Sequence, residues 1–231
     1  RDCDEVGFHS IVQHLSANVT QQDLEARIAS LNSDPTIDGI LVQTPLPAHI
    51  DEARIIDSIS PEKDVDGFHA YNIGLLALRR PAMRSCTPKG VMLLLEHVGC
   101  TFKGEDAAII GASNHVGRPM GLELLLAGAT VTMAHKFTQD IQSKVKHADI
   151  VISAVGRPDL VPAQWIKPGA VVIDVGITRG PNNKLLGDVQ FEAVKQVASW
   201  ITPVPGGVGP MTRIALLQNT LQAAKATMGL S

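Results

Sequence analysis

The chain has 231 residues, enough for two lobes that each bury a core of their own. With 45% hydrophobic and 19% charged residues it reads as an ordinary globular protein, not a solvated disordered chain. A formal net charge of -3 gives no electrostatic case for nucleic acid or an anionic membrane as partner, and no apolar run reaches the ~18 residues of a membrane span, so a cytoplasmic protein is expected.

Cys3, Cys86 and Cys100 are odd in number and far apart, which predicts reduced structural thiols and neither a disulfide framework nor a zinc site. The chain starts at Arg1 rather than a methionine, and Cys3-Asp4-Glu5-Val6-Gly7 reads as a helix tail closed by a glycine; this places the natural N-terminus upstream. Residues 8–15 then predict a short strand. The capping box Thr20-Gln21-Gln22-Asp23 opens a helix to about residue 31. Residues 39–43 are an apolar run ending in Gln43, the pattern of a buried parallel strand whose carboxyl end faces a site. Strand, helix and strand in this order predict a right-handed crossover.

Pro45 and Pro47 end that ladder, because neither has a backbone donor. Next come a helix over 51–59, a loop over 61–68, and a helix over 87–95 with Pro88 at its first position. The second half alternates: strands over 107–111, 129–134, 150–155 and 170–175, with helices from 119, over 139–147 and over 191–198, before Ile201-Thr202. Successive units of this kind predict a doubly wound α/β sheet. A turn-rich segment, 203–210, leads into an amphipathic helix over 211–227 expected to pack back on the first lobe.

Several segments carry chemistry. The loop Gly111-Ala112-Ser113-Asn114-His115-Val116-Gly117-Arg118-Pro119-Met120 lies between a strand and a helix, where backbone amides can hold a phosphate. It departs from G-x-G-x-x-G spacing, and a plain strand-to-helix turn is the alternative. About twenty residues on, where an NAD-selective fold places a carboxylate, the chain reads Met133-Ala134-His135-Lys136. Lys136 and His135 facing a 2′-phosphate would favour NADP; a solvated lysine is the bland reading. Asp64 and Asp66 alternate across Val65, so in an extended segment they share a face, as acid and base, metal ligands or loop solvation. Gln43 at a strand end would orient a ligand without adding charge. Pro205-Gly206-Gly207-Val208-Gly209-Pro210 lets backbone approach a flat ligand or simply connects lobes. His9, His14, His97 and His147 show no ligand spacing, and no metal is expected.

Five of these stretches, Asp38 through Pro47, Lys63-Asp64-Val65-Asp66-Gly67-Phe68, Cys86-Thr87-Pro88-Lys89-Gly90, the Gly111 loop, and Ile201 through Thr212, occur in order along nearly the whole chain. In them the chain resembles the methylenetetrahydrofolate dehydrogenase/cyclohydrolase family. The resemblance implies a homodimer in one-carbon metabolism with one active site between an N-terminal α/β catalytic lobe (1–86) and a Rossmann-like NADP-binding domain (87–202). Residues 203–231 would be a folate-lining turn and a returning helix. A hydride would pass from the methylene bridge of a tetrahydrofolate derivative to NADP, and water would then open the methenyl product to the 10-formyl form. By the same likeness Asp66 bonds the pterin, Gln43 tunes a catalytic lysine, and Pro205, Gly206, Gly207, Gly209 and Pro210 line the folate slot. Gly111, Ala112, Ser113, Val116, Gly117, Arg118, His135, Lys136 and Ile177 fall to the cofactor. Thr44 stands where the family commonly has leucine and Ser85 where it has proline. The family's catalytic tyrosine and lysine fall, in this register, before Arg1, so a chain with this sequence alone is expected to bind NADP without turnover. The competing readings are another two-lobed dehydrogenase, of the shikimate or amino-acid type, and a truncated or degenerate dinucleotide binder.

Overall fold

The computed structural model describes residues 2–230. Helix α1 (Asp2–Glu5) is followed by Gly7 in the left-handed region at φ +77, the closing glycine expected there. Residues 8–15 are not the expected strand. Among the described residues they form no β ladder, Gln13 instead accepting from Arg27 of the following helix, and Ile11, Val12 and Leu15 stay exposed, so β-favouring side chains find no face to pack on.

Helix α2 (Gln21–Ser33) begins as its capping box predicts: Thr20 Oγ1 accepts from the Asp23 amide at 3.1 Å and donates to the Asp23 carboxylate at 2.7 Å. Helix α3 (Glu52–Asp57) is capped by Asp51, which accepts from Arg54 N at 3.1 Å. Leu24, Ile28, Ile40, Ile50, Ile55 and Ile59 form the core between them. The predicted strand over 39–43 shrinks to a single parallel bridge, Ile40 opposite Asp64, with Ile40 N donating to Lys63 O at 2.7 Å. Leu41 and Gln43 are exposed, and the partner segment turns away at Gly67 (φ +76), so the strand–helix–strand crossover does not form. Helix α4 (Ala70–Ala77) had no recognisable start in the sequence, because its cap is a histidine: His69 Nδ1 accepts from Tyr71 N at 2.9 Å. Helix α5 (Cys86–His97) starts one residue earlier than predicted, which puts Pro88 at its third position; first-turn amides have no intrahelical acceptor, so the proline costs no bond there.

The second half is the predicted doubly wound sheet. Its chain order is β1 (Asp106–Ile110), α6 (Gly117–Ala127), β2 (Thr130–Ala134), α7 (Ile141–Val145), β3 (Ile150–Ser153), β4 (Val171–Asp174), β5 (Thr178–Arg179), β6 (Leu185–Leu186), α8 (Phe191–Val194), β7 (Trp200–Ile201) and α9 (Val208–Thr227). Five parallel strands run in the order β2-β1-β3-β4-β7. The order reverses between β1 and β3, and ligands of such sheets sit off the strand carboxyl ends at that switch point. Alternate side chains feed two cores: Ala107 and Ile109 pack under α5 and α6, Ala108 and Ile110 under α7 and α8. Helices α7 and α8 are shorter than predicted, and the antiparallel β5–β6 pair was not predicted.

Helix α9 starts at Val208, not 211, so Gly209 and Pro210 belong to its first turn and the turn-rich segment ends at Gly207. Its buried positions, Val208, Ala215, Asn219 and Ala223, form a narrow stripe of mostly small residues rather than a broad apolar face. The helix lies chiefly along α5, with Gly90 backed directly onto Met211, and from there it also reaches residues 65–84. Ala223 packs with Val65 and Met83, and Asn219 Nδ2 donates to Val65 O at 2.9 Å and Arg84 O at 2.8 Å.

Candidate active site

The loop from β1 to α6 is fixed by close backbone packing. Gly111 lies at φ +118 and donates to Ala134 O at 2.9 Å; a Cβ there would run into the Ala154 carbonyl. At Gly117 a Cβ would meet the Gly111 carbonyl, so both glycines are required by the fold itself. Ser113 folds the rest: its hydroxyl accepts from Val116 N at 3.2 Å, its carbonyl from Arg118 N at 3.0 Å, and Arg118 Nε donates to Ala112 O at 3.2 Å. Among the described residues, the amides of Ser113, Asn114 and His115 have no acceptor. Three open donors before the eleven-residue helix α6, at the switch point, fit the phosphates of a dinucleotide.

The other residues expected at the cofactor lie beyond the carboxyl ends of neighbouring strands. His135 and Lys136 follow β2 and are exposed, with Lys136 Nζ 4.9 Å from the centre of the Phe137 ring. Ile177 follows β4 and is also exposed. Beside them stand two buried carboxylates that the sequence did not single out. Asp188 accepts from Ser153 Oγ at 2.9 Å and from the amides of Val155 and Arg157, each at 2.7 Å. Asp174 accepts from the amides of Gly176 and Asp188 at 3.0 Å and Val189 at 2.9 Å, and burial pushes its pKa up to about 6. Together they fasten the loops after β3 and β4. Asp188 follows Gly187, where an acidic residue looks like loop solvation, and Asp174 lies at the end of a predicted strand with no motif to mark it.

Asp64 and Asp66 do not share a face, because residues 64–67 form a turn instead of an extended segment. Asp64 is buried and fully used, accepting from Gly67 N at 3.1 Å, His69 N at 2.8 Å and Asn72 Nδ2 at 3.0 Å. Asp66 is the free member of the pair. Burial, then the nearby Asp64 charge, raises its pKa to about 6, opposed by the Cys86 thiol and by His115. The Cys86 thiol donates to Val65 O at 3.2 Å and is pushed well above the usual thiol range, first by burial and then by Asp66. Lys89 donates to Asn219 Oδ1 at 2.8 Å, and burial followed by Arg84 lowers its pKa. Arg84 itself forms a two-pronged pair with buried Glu123. Lys63 is committed to structure: Nζ bonds the carbonyls of Leu31, Asn32 and Asp34 at the end of α2.

Gln43 is exposed, its amide donating to the adjacent Thr44 carbonyl at 3.0 Å. In the segment 205–210, Cβ atoms on Gly206 and Gly209 would meet nothing within 4 Å, whereas one on Gly207 would strike Pro203 O at 2.6 Å. Two of these glycines therefore border open space and one is needed by its own chain. His115 joins the two sides. From the cofactor loop it pairs with Glu52 of α3 (Nε2 to Oε1, 3.2 Å) and lies 4.6 Å from the Phe68 ring, two residues past Asp66.

A doubly wound sheet with phosphate-ready amides at its switch point, bridged to a second lobe presenting a semi-buried carboxylate, defines a two-lobed dinucleotide-dependent enzyme. Residues 1–66 match the catalytic domain of tetrahydrofolate dehydrogenase/cyclohydrolase, and residues 85–228 match the NAD(P)-binding domain of the same enzymes. The chain is 50% identical to the bifunctional FolD methylenetetrahydrofolate dehydrogenase/cyclohydrolase of Campylobacter jejuni, at a TM-score of 0.95 over 97% of this chain and 80% of that one. It is 41% identical to the Trypanosoma brucei enzyme, crystallised with NADP and an inhibitor, at a TM-score of 0.94 over 98% of this chain and 80% of that one. This chain belongs to the tetrahydrofolate dehydrogenase/cyclohydrolase family, and its activity is that of a methylenetetrahydrofolate dehydrogenase and methenyltetrahydrofolate cyclohydrolase. Likeness to the shikimate 5-dehydrogenase of Thermus thermophilus, 16% identical with a TM-score of 0.56 over 97% of this chain and 90% of that one, shows a shared fold alone.

Proposed function

We propose that 5,10-methylenetetrahydrofolate binds between the lobes with its pterin on Asp66 and its flat ring system over Gly206 and Gly209, while NADP lies along the loop from Gly111 to Arg118. The observation that carries this reading is the junction at His115, where the cofactor loop touches the segment holding Asp66. NADP supplies the acceptor for the hydride that leaves the methylene bridge; water then adds to the methenyl carbon, and a carbon–nitrogen bond opens to give 10-formyltetrahydrofolate and a proton. Asp66, ionised above about pH 6, accepts hydrogen bonds from pterin N–H groups. The amides of Ser113, Asn114 and His115 bind the pyrophosphate, with Ala112, Val116 and Arg118 beside it. Lys136 and His135 meet the 2′-phosphate, and Ile177 packs on the dinucleotide. Gln43 borders the folate side, its exposed amide placed to orient a ligand without adding charge.

The same reading divides the chain into a folate lobe over 1–86, a cofactor domain over 87–202 and a folate-lining return over 203–231. It includes a cytoplasmic homodimer, checked by light scattering and cell fractionation. The main test is an assay of 5,10-methylenetetrahydrofolate with NADP, following NADPH and then loss of the methenyl product. NADPH formation, or the tetrahydrofolate Kd where the chain turns nothing over, that Asp66→Asn impairs supports the reading; NADPH formation and a tetrahydrofolate Kd both indifferent to Asp66→Asn overturn the folate placement.

A further inference from the structure

One side chain of the cofactor loop reaches across to the folate side of the site. His115 is the central residue of the phosphate-binding loop, in a stretch whose own bonds, Ser113 to Val116 and Ser113 to Arg118, bracket it without using its imidazole. That imidazole leaves its own lobe. It reaches Glu52 Oε1 at 3.2 Å, and the other oxygen of Glu52 accepts from Leu46 N at 3.4 Å, in the turn just after Gln43. Its ring also stacks on Phe68 at 4.6 Å with the planes inclined by 36°, and Phe68 follows Asp66 and Gly67. One ring thus packs directly on the segment carrying Asp66, through Phe68, and reaches the turn after Gln43 by way of Glu52. Glu52 and His115 are each about one-third exposed (31% and 37%), so the pair is shielded enough to matter and open enough to rearrange.

We propose that His115 is a positioning residue that couples cofactor binding to folate binding. The inference rests on the reading that the Gly111 loop holds NADP and Asp66 holds the pterin. With the loop settled on a pyrophosphate, His115 is held against Phe68 and Glu52, and the Asp66 and Leu46 segments are held with it; a pterin then binds segments already ordered. Coupling of this kind is reciprocal: each ligand tightens the other by one common factor. His115 also opposes the upward shift on Asp66, which links the ring to the carboxylate electrostatically as well as through packing.

The test uses NADP and tetrahydrofolate, which lacks the one-carbon bridge and so forms a ternary complex without turnover. Calorimetry gives the NADP Kd with and without saturating tetrahydrofolate, and the ratio is the coupling factor. In the unmodified protein the expected ratio is about fivefold or more. In His115→Ala it falls to near one, and in Glu52→Ala, which removes the imidazole's partner and leaves the loop amides in place, it falls as well. In His115→Gln, whose amide still donates to Glu52, it recovers in part. A purely structural role would lower Tm and weaken both ligands together, leaving the ratio unchanged, and that result overturns the proposal. A ratio near one in the unmodified protein overturns it as well. Failure of NADP or tetrahydrofolate to bind the unmodified protein at all is a different outcome, and refutes the reading of the site on which the proposal stands.

Discussion

Asp188→Asn tests whether the loop after β3 is built by one buried carboxylate. Oδ2 of Asp188 serves both Ser153 Oγ and Val155 N, and Oδ1 serves Arg157 N. An asparagine keeps one oxygen. If that oxygen retains Ser153 and Val155, the Arg157 amide faces an amide donor, a buried donor without acceptor costing about 1–3 kcal/mol, and the two remaining bonds lose their charge assistance, about 1 kcal/mol between them. Relief of the desolvation of a buried carboxylate offsets part of this, leaving about 2–3 kcal/mol. At roughly 2–4 °C per kcal/mol for a chain of this size, Tm falls by about 4–12 °C. Gly176 packs directly against the Asp188 carboxyl, so the approach to Ile177 loosens together with residues 155–157 and NADP binding weakens about tenfold. Scanning calorimetry and an NADP titration measure the two effects. A Tm within about 2 °C of the unmodified protein with an unchanged NADP Kd would show that these hydrogen bonds do not build the loop.

Gly111→Ala places a methyl group in the Ala154 carbonyl at φ +118, and is expected to destabilise by about 2–4 kcal/mol and abolish NADP binding, measured by urea unfolding and titration. Lys136→Asp should weaken NADP by about ten- to a hundredfold and weaken NAD little, the contrast of the two affinities being the readout. Burial lifts the Asp66 carboxyl from its ordinary 3.8 to about 6, so its ionised form, and the folate affinity it carries, is present above about pH 6 and lost as pH falls through it; Asp66→Asn should flatten that limb of a folate-affinity profile. The same raised value means that the folded state holds this proton more tightly between those two pH values. Stability from this group therefore declines as pH rises across that window, and Tm against pH should slope less in Asp66→Asn.

The second half of the fold was legible because its central strands, β1, β3 and β4, are buried on both faces. Continuous runs such as Ile150-Val151-Ile152 can be nothing else when glycines and helix caps bracket them at regular intervals. The first half misled for the opposite reason. Residues 39–43 have strand composition, but only Ile40 is deeply buried, and the neighbouring segment leaves after one bridge; a ladder needs a partner, which composition cannot supply. Glycine spacing located the tight turn between β1 and α6 although the usual motif was absent, since the close contacts of Gly111 and Gly117 are internal to the turn. Asp64 and Asp66 looked equivalent in sequence, and only the turn at Gly67 separates a residue saturated by three donors from one left free. The bond from Glu52 to His115 spans two lobes, and nothing local in either segment announces it.

The central claim is that one cleft holds folate on Asp66 and dinucleotide on the Gly111 loop, and the most direct measurement is a crystal structure of the ternary complex with tetrahydrofolate and NADP. The account predicts pterin N–H groups within hydrogen-bond distance of the Asp66 carboxylate, the pyrophosphate on the amides of Ser113, Asn114 and His115, and the imidazole of His115 still between Glu52 and Phe68. A pterin bound away from Asp66, or a pyrophosphate away from those amides, would contradict it.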